Sequence, residues 1–178
     1  MELLEKTVSS EIKFKGRIVT LRLDQAELPN GRVVSREVVE HPGGVVILPL
    51  HEDGTVDVVR QFRYPFQRVL TELPAGKLEY GEDHRLAALR ELEEEVGVIP
   101  GELTYLGCLY VSPGFSSEVL HMYLAQGLRQ GECHPDEDEF LEGERIPFQT
   151  LASQVLSGEI SDGKTVATVL KVKVRLGL

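Results

Sequence analysis

The chain has 178 residues, 42% of them apolar and 27% charged, a composition typical of a folded globular protein and not of a disordered one. Its 19 Lys and Arg residues against 29 Asp and Glu residues give a net charge of −10, which argues against nucleic acid as the main partner because phosphates would be repelled. No apolar run approaches the ~18 residues of a membrane span, and the N-terminal residues contain no apolar signal core. Because Cys108 and Cys133 do not form a C-x-x-C pair, we expect reduced thiols in a cytoplasmic protein with no membrane partner.

The first 40 residues predict a small antiparallel sheet. Residues 19–24 alternate between apolar and polar side chains, the pattern of a half-buried strand. Asn30-Gly31, a dipeptide favoured in tight reversals, precedes a second predicted strand at 33–39. So small a sheet has little core of its own, so we expect it to pack on the rest of the chain or on another subunit.

Residues 41–178 mix strands and helices without a regular alternation of the two, which predicts the α+β class with helices outside mixed sheets. The expected strands are 45–50, 55–59, 68–71, 103–111 and 119–124. The expected helices are 83–96, 149–156 and 164–174, although the valines of the last segment are also compatible with a strand.

The helix predicted at 83–96 carries four apolar residues on one side at about 100° per residue, and we expect these to form its buried stripe: Leu86, Leu89, Leu92 and Val96. Three glutamates fall on roughly the opposite side: Glu91, Glu94 and Glu95. Like charges three and four residues apart repel, and the C-terminal end of a helix disfavours anions. Both the mutual repulsion of these glutamates and their place near the C-terminal end are therefore unfavourable for the helix, and such local conflicts are typical of functional sites. Such a cluster suits Mg²⁺ or Mn²⁺, although a solvated acidic face is the alternative.

The surroundings of these glutamates form a longer motif. Gly76 begins a segment that reads G-x5-E-x7-R-E-L-E-E-E-V-G-V through Val98, in which Glu82 can pair with Arg90 and Gly97 can end the helix. This segment resembles the Nudix box, G-x5-E-x7-R-E-U-x-E-E-x-G-U with U apolar, at every fixed position.

The resemblance implies a Nudix hydrolase domain at 41–178, an α/β/α sandwich around a mixed sheet. Nudix proteins mostly hydrolyse a nucleoside diphosphate linked to another group, and their box holds divalent metal. By resemblance, Glu91 and Glu95 are the main metal ligands, Glu94 shares a metal or a bound water, and Ala75 contributes its backbone carbonyl.

A wider resemblance to the ADP-ribose pyrophosphatase subfamily covers residues 59–65, 72–77 and 112–115. In that subfamily the N-terminal sheet, here residues 1–40, is exchanged across a homodimer, and both subunits build the substrate pocket. The implied substrate contacts are Arg36 and Glu37 for the adenosine half, Arg63 on the phosphate or adenine side, Gly114 in the Ser-Pro-Gly loop, and Glu118 for a ribose.

The acidic run at 134–139 resembles the mobile loop that brings catalytic glutamates in this subfamily. Glu139 would then ligate metal, and either Glu137 or Glu94 would accept a proton from the attacking water. Without the resemblance, such a run is more simply a solvated loop.

The resemblance therefore predicts Mg²⁺-dependent hydrolysis of ADP-ribose to AMP and ribose 5-phosphate, with Mn²⁺ as an alternative ion. The box is shared by enzymes for other substrates, so a nucleotide sugar, FAD or a dinucleoside polyphosphate stay alternatives. A regulatory module that binds ADP-ribose without cleaving it is a third hypothesis, which the intact set of box carboxylates disfavours.

Overall fold

A computed structural model describes residues 3–134 and 140–178 and divides the chain into two compact units. The first comprises the chain up to Gly43 together with Tyr110–Val119, and the second comprises Gly44–Leu109 and Leu120–Leu178. Within the described ranges, no helix combines the length and the apolar character that crossing a membrane requires.

The first unit contains a three-stranded antiparallel sheet in the order β1-β2-β3, with β1 Lys6–Lys15, β2 Thr20–Glu27 and β3 Val33–Glu40. The two predicted strands correspond to β2 and β3. The sequence pattern did not reveal β1, because all ten of its residues are exposed and two register shifts against β2 interrupt its alternation. The boundary predicted at residue 40 stays a prediction, and this unit also includes residues 110–119.

The second unit holds the other elements. Its strands are β4 Gly44–Pro49, β5 Thr55–Arg63, β6 Arg68–Glu72, β7 Ala75–Lys77, β8 Val98–Ile99, β9 Glu102–Tyr110, β10 Val119–Gln126, β11 Arg129–Gln130 and β12 Leu141–Pro147. Its helices are α1 His84–Val96, α2 Phe148–Ser157 and α3 Gly163–Leu176. The segment 164–174, which was compatible with either structure, is therefore helical.

The described strands of the second unit form a mixed sheet β7-β4-β10-β9, an antiparallel sheet β12-β5-β6 and a short pair β11-β8. Strand β4 runs parallel to β10 and antiparallel to β7. Its side chains alternate between two cores: Val45 and Ile47 pack in a cluster with Leu92 of α1, and Val46 and Leu48 pack with α2 and α3. A strand buried on both faces is the centre of an α/β/α sandwich, so the predicted fold class is confirmed.

Candidate active site

Helix α1 begins and ends at residues suited to those positions. Asp83 caps its N-terminus by accepting hydrogen bonds from the backbone N–H groups of Arg85 and Leu86 at 2.9 and 3.1 Å. Gly97 follows the last turn with a φ of 63°, a left-handed conformation that a β-carbon disfavours. These two residues set the length of the helix and hence the positions of its glutamates.

The buried face of α1 differs from the predicted one. Its buried residues are Ala87, Ala88, Glu91, Leu92 and Glu95. Leu86, which was expected in the core, is 62% exposed, so that part of the prediction is wrong. Glu91 and Glu95 were expected on the opposite side, and this is wrong too. The short alanine side chains let the helix approach its neighbours, and Glu91 and Glu95 follow Ala87 at four-residue intervals on the same row.

Both buried carboxylates meet the backbone of residues 75–76. Glu95 Oε2 accepts a hydrogen bond from the N–H of Ala75 at 2.9 Å. The carboxyl group of Glu91 lies against Gly76, in the space that a β-carbon at position 76 would fill. The glycine of the motif is thus required by its contact with the first glutamate of the helix.

The strand register directs the carbonyl of Ala75 away from the sheet. The N–H of Ile47 donates to the carbonyl of Pro74 at 2.9 Å, and Val46 is the partner of Ala75 in the antiparallel pair of β4 and β7. Because hydrogen-bonded and non-hydrogen-bonded pairs alternate in such a ladder, Ala75 is at a non-hydrogen-bonded position. Its carbonyl therefore points to the same outer side of β7 as its N–H, which is the side of Glu95.

Arg90 neutralises part of the acidic cluster. Its guanidinium contacts Glu82 at 3.2 Å, Glu91 at 2.8 Å and Glu94 at 2.9 Å, which confirms the predicted pairing with Glu82. Partial burial lowers the pKa of Arg90, but its carboxylate neighbours raise it by more, so it lies above its ordinary value. Burial likewise raises the pKa of Glu82, and the backbone N–H of Glu79 together with Arg90 brings it below its ordinary value. The arginine remains charged and ties the loop before α1 to the helix.

The oxygen donors around α1 fit a hard divalent cation. In the described part of the chain, no group of three or more His, Cys, Asp or Glu side chains is arranged to hold a metal ion. What the structure brings together is two buried carboxylates, Glu91 and Glu95, and the carbonyl of Ala75. Mg²⁺ in proteins retains several waters and uses one or two carboxylates plus substrate phosphates, so this smaller donor set suits it.

A cavity of about 460 Å³ opens beside Glu95. Asp57, Cys133 and Arg145 also line it. Asp57 is buried, accepts a hydrogen bond from Arg145 Nε at 2.7 Å and lies 2.6 Å from Nε2 of His51. With Glu144, the wall of this cavity carries three carboxylates and one arginine, so an anionic group would enter it only together with a cation.

Arg63 is held in a buried ion-pair network. It donates to both carboxylate oxygens of Glu72, at 2.7 and 2.5 Å, and Lys164 contacts the same carboxylate while bonding Asp162 at 3.0 Å. Burial raises the pKa of Glu72, but Arg63 and Lys164 outweigh it and hold the pKa below its ordinary value. The side chain of Arg63 is still 36% exposed, so it can contact a ligand as well.

The first unit contains its own cavity, of about 280 Å³, which brings together three of the predicted substrate contacts: Arg36, Glu37 and Gly114. The loop that carries Gly114 is attached to β3, because Val39 exchanges backbone hydrogen bonds with Phe115 and Ser117 at 2.7 and 2.9 Å. Arg36 also forms an ion pair with Glu5 at 2.7 Å.

Three further predicted site residues are not part of the described wall of this cavity: Glu118, Glu137 and Glu139. Glu118 belongs to the same unit and lies 3.8 Å from Nδ1 of His41, but it is not among the described residues that line the cavity. Glu137 and Glu139 lie outside the described residues.

Several polar residues near the site were missed by the sequence interpretation: Asp57, Arg145, Asp162, Lys164 and Thr165. Four of them are joined to a partner in a distant part of the chain, up to 92 positions away for Lys164 and Glu72, so no local spacing indicated them. Asp162 caps the N-terminus of α3. Glu72 is 0% exposed, and this burial of a carboxylate, visible only in the structure, identifies the ion-pair network that it forms with Arg63 and Lys164.

The chain is similar to known proteins along almost its whole length. The model of the NUDIX domain matches residues 40–169, and that of the nucleoside diphosphate sugar hydrolase N-terminal domain matches residues 5–39. An ADP-ribose pyrophosphatase of Bacillus subtilis (strain 168) is 40% identical over 98% of this chain and 95% of its own length. A methanol dehydrogenase activator of Bacillus methanolicus is 41% identical over 93% of this chain and 90% of its own length.

The fold also has a solved counterpart. A crystal structure described as an ADP compounds hydrolase superimposes with a TM-score of 0.86 at 24% identity, covering 99% of this chain and 97% of the other. At that identity, the match concerns the fold.

Proposed function

Since the chain belongs to the NUDIX family, we propose that it is a pyrophosphohydrolase that hydrolyses the diphosphate bond of ADP-ribose to AMP and ribose 5-phosphate. The observation that carries the proposal is the pair of buried carboxylates, Glu91 and Glu95, directed at the backbone of residues 75–76. Both are oxygen donors of the kind that Mg²⁺ binds in proteins, and Glu91 is also paired with Arg90 at 2.8 Å. Similarity along almost the whole chain to an ADP-ribose pyrophosphatase supports the choice of substrate.

The proposed metal ligands are Glu91, Glu95 and the carbonyl of Ala75, with Glu94 sharing a metal or a bound water. Glu139, outside the described residues, would complete the set. Mg²⁺ is the ion we propose, with Mn²⁺ as a substitute, because all donors are oxygens. When bound, the ion would neutralise the diphosphate and lower the pKa of a coordinated water.

The chain itself would orient the substrate and accept a proton. Glu137 and Glu94 are the two candidates for the general base, and Glu94 is at present engaged with Arg90 at 2.9 Å. Arg63, fixed by Glu72, would contact the phosphate or adenine side of the substrate. The cavity beside Glu95 would accommodate the diphosphate together with the bound ion, because Arg145 at its wall is already paired with Asp57.

The adenosine half is assigned to the cavity of the first unit, where Arg36, Glu37 and Gly114 meet. Glu118 would contact a ribose. An arginine beside a carboxylate offers both donors and acceptors to a base or sugar hydroxyl.

We further propose that the protein is a homodimer in which the sheet of residues 1–40 is exchanged and both subunits build the pocket. Strand β1 supports this, because Val8, Ile12 and Phe14 are 58%, 59% and 58% exposed on it. Three large exposed apolar side chains on one strand favour a surface that a partner covers. Free thiols at Cys108 and Cys133 support a cytoplasmic location.

A nucleotide sugar is the second candidate substrate, because residues 5–39 match the N-terminal domain of nucleoside diphosphate sugar hydrolases. FAD and dinucleoside polyphosphates follow, and a binding module without cleavage is disfavoured by the complete box.

The test is a substrate panel with Mg²⁺ in water enriched in ¹⁸O, compared by kcat/KM, with products identified by mass spectrometry. We expect ADP-ribose to give the highest kcat/KM and the label to enter either AMP or ribose 5-phosphate, which identifies the attacked phosphorus. A higher kcat/KM for a nucleotide sugar would reassign the substrate, and binding of ADP-ribose without release of AMP would make the chain a binding module.

A further inference from the structure

The N-terminal turn of α3 is bonded to the chain that leads into the proposed metal site. The buried N–H of Leu73 donates to Oγ1 of Thr165 at 2.9 Å. Thr165 in turn donates to Oδ2 of Asp162 at 2.6 Å, so the cap of the helix and the bond to Leu73 share one hydroxyl. Lys164, the residue before Thr165, contacts the buried carboxylate of Glu72, the residue before Leu73.

The next peptide groups are held from other directions. The carbonyl of Pro74 accepts from Ile47 of β4, and the N–H of Ala75 donates to Glu95 of α1, each at 2.9 Å. Consecutive residues of one short connection are therefore bonded to α3, β4 and α1 in turn. The position of this connection determines where the carbonyl of Ala75 lies relative to Glu95.

We propose that Thr165 and Lys164 of α3 are positioning residues for the divalent-cation site formed by Ala75, Glu91 and Glu95. They touch neither the ion nor the substrate. Thr165 fixes the peptide of Leu73, and Lys164 fixes the carboxylate at the end of β6, so that Ala75 presents its carbonyl to the same point as the two glutamates. This inference rests on the proposed function and extends it to a helix outside the motif.

The structure offers a matched control on the same helix. Thr165 and Thr168 are both 0% exposed, but the hydroxyl of Thr168 donates to the carbonyl of Lys164, within α3, at 2.8 Å. Replacing either threonine by valine removes a buried hydroxyl and keeps the size of the side chain. Only the change at Thr165 removes a partner of the connection to the metal site.

The experiment measures Mn²⁺ binding to the full chain by electron paramagnetic resonance without substrate, beside the melting temperature in EDTA. Residues that hold a metal ligand in place commonly change metal affinity by about 10-fold or more when they are replaced, so we expect Thr165→Val to weaken Mn²⁺ binding about 10-fold. Thr168→Val should bind Mn²⁺ like the wild type at a similar loss of melting temperature, and Thr165→Ser should restore binding because it keeps the hydroxyl.

Equal Mn²⁺ affinities of Thr165→Val and Thr168→Val would overturn the inference and leave Thr165 a residue of stability alone. Lys164→Met, compared with Lys171→Met on the exposed side of α3, tests the second residue, and only Lys164→Met should weaken Mn²⁺ binding. If Thr165→Val does not fold, this pair decides the inference by itself.

The readout separates this inference from the proposed activity. Wild-type protein that binds Mn²⁺ but does not cleave ADP-ribose would contradict the proposed function and leave the positioning test intact. Wild-type protein that cleaves ADP-ribose, with a Thr165→Val variant of normal Mn²⁺ affinity, would contradict the positioning role alone.

Discussion

The carboxyl group of Glu91 occupies the space in which a side chain at position 76 would begin. A β-carbon on Gly76 would lie 1.8 Å from Cδ of Glu91 and 2.0 and 2.3 Å from its two oxygens, far inside van der Waals contact. The glycine is needed here for space, because it lets a buried carboxylate reach the backbone of the connection before the helix.

Gly76→Ala should therefore displace Glu91. We expect the variant to fold with a loss of about 1–3 kcal/mol, because the glutamate side chain can move where backbone cannot. Mn²⁺ affinity and ADP-ribose cleavage should both fall at least about 10-fold. Gly163→Ala is the control, since a β-carbon there also meets nothing within 4 Å. Normal Mn²⁺ binding by Gly76→Ala would remove Glu91 from the ligand set.

Glu95→Gln should separate the charge of this residue from its structural bond. The amide oxygen of glutamine can still accept from the N–H of Ala75, so the melting temperature should change little. Loss of the charge should lower kcat about 100-fold or more. Glu93→Gln, on the same helix but outside the proposed ligand set, should retain activity. A folded Glu95→Gln enzyme with full activity contradicts the metal assignment, and Glu91→Gln is tested in the same way.

Glu72→Gln should destabilise the protein far more than a change in an exposed ion pair. Glu72 is 0% exposed, and removing its charge leaves Arg63 and Lys164 without their shared anion. We expect a loss of about 3–5 kcal/mol in the free energy of unfolding, measured with urea. Glu142→Gln breaks the exposed contact with Arg60 and should cost less than about 1 kcal/mol. Equal costs would contradict the buried network.

The stacked rings of His84 and His121 should make stability depend on pH. Their centroids are 3.9 Å apart with an interplanar angle of 7°, and Tyr105 bonds Nδ1 of His121 at 3.0 Å. The pKa of His121 lies below its ordinary value of 6.5, mainly because the ring is partly buried and to a smaller extent because His84 is its neighbour. The unfolded state then binds a proton first as pH falls, so stability should be constant above about pH 7 and decrease as pH falls from 6.5 through the lowered pKa.

The check is the free energy of unfolding from pH 8 to pH 5 for wild type and for His121→Gln. The variant should lose part of the slope, while His134→Gln should keep it. An unchanged slope in His121→Gln would assign the dependence to other groups.

Strand β1 should mediate association of two chains. Phe14→Asp and Ile12→Lys place charges on its exposed apolar positions, which are 58% and 59% exposed in the single chain. We expect light scattering to give the mass of a dimer for wild type and of a monomer for these variants, with lower kcat/KM for ADP-ribose. Lys13→Glu, on the same strand, should leave the dimer intact. A monomeric wild type would contradict the proposed exchange.

The sequence by itself determined the family and the local frame of the site. The spacing of Gly76, Glu82, Arg90 and the glutamates identified the motif, and Gly97 marked the end of a helix predicted at 83–96 and observed at His84–Val96. These features depend on residues close together in the chain, where spacing and capping chemistry translate directly into geometry.

Only the tertiary structure decided which face of that helix is buried and what its charges contact. Periodicity counts apolar side chains, so it selected Leu86 and overlooked the alanines that let α1 pack closely and bring Glu91 and Glu95 inward. The partners of Leu73 and Glu72 on α3 lie 92 residues further along the chain. Contacts of that separation arise from packing of whole elements, and no local pattern of residues encodes them.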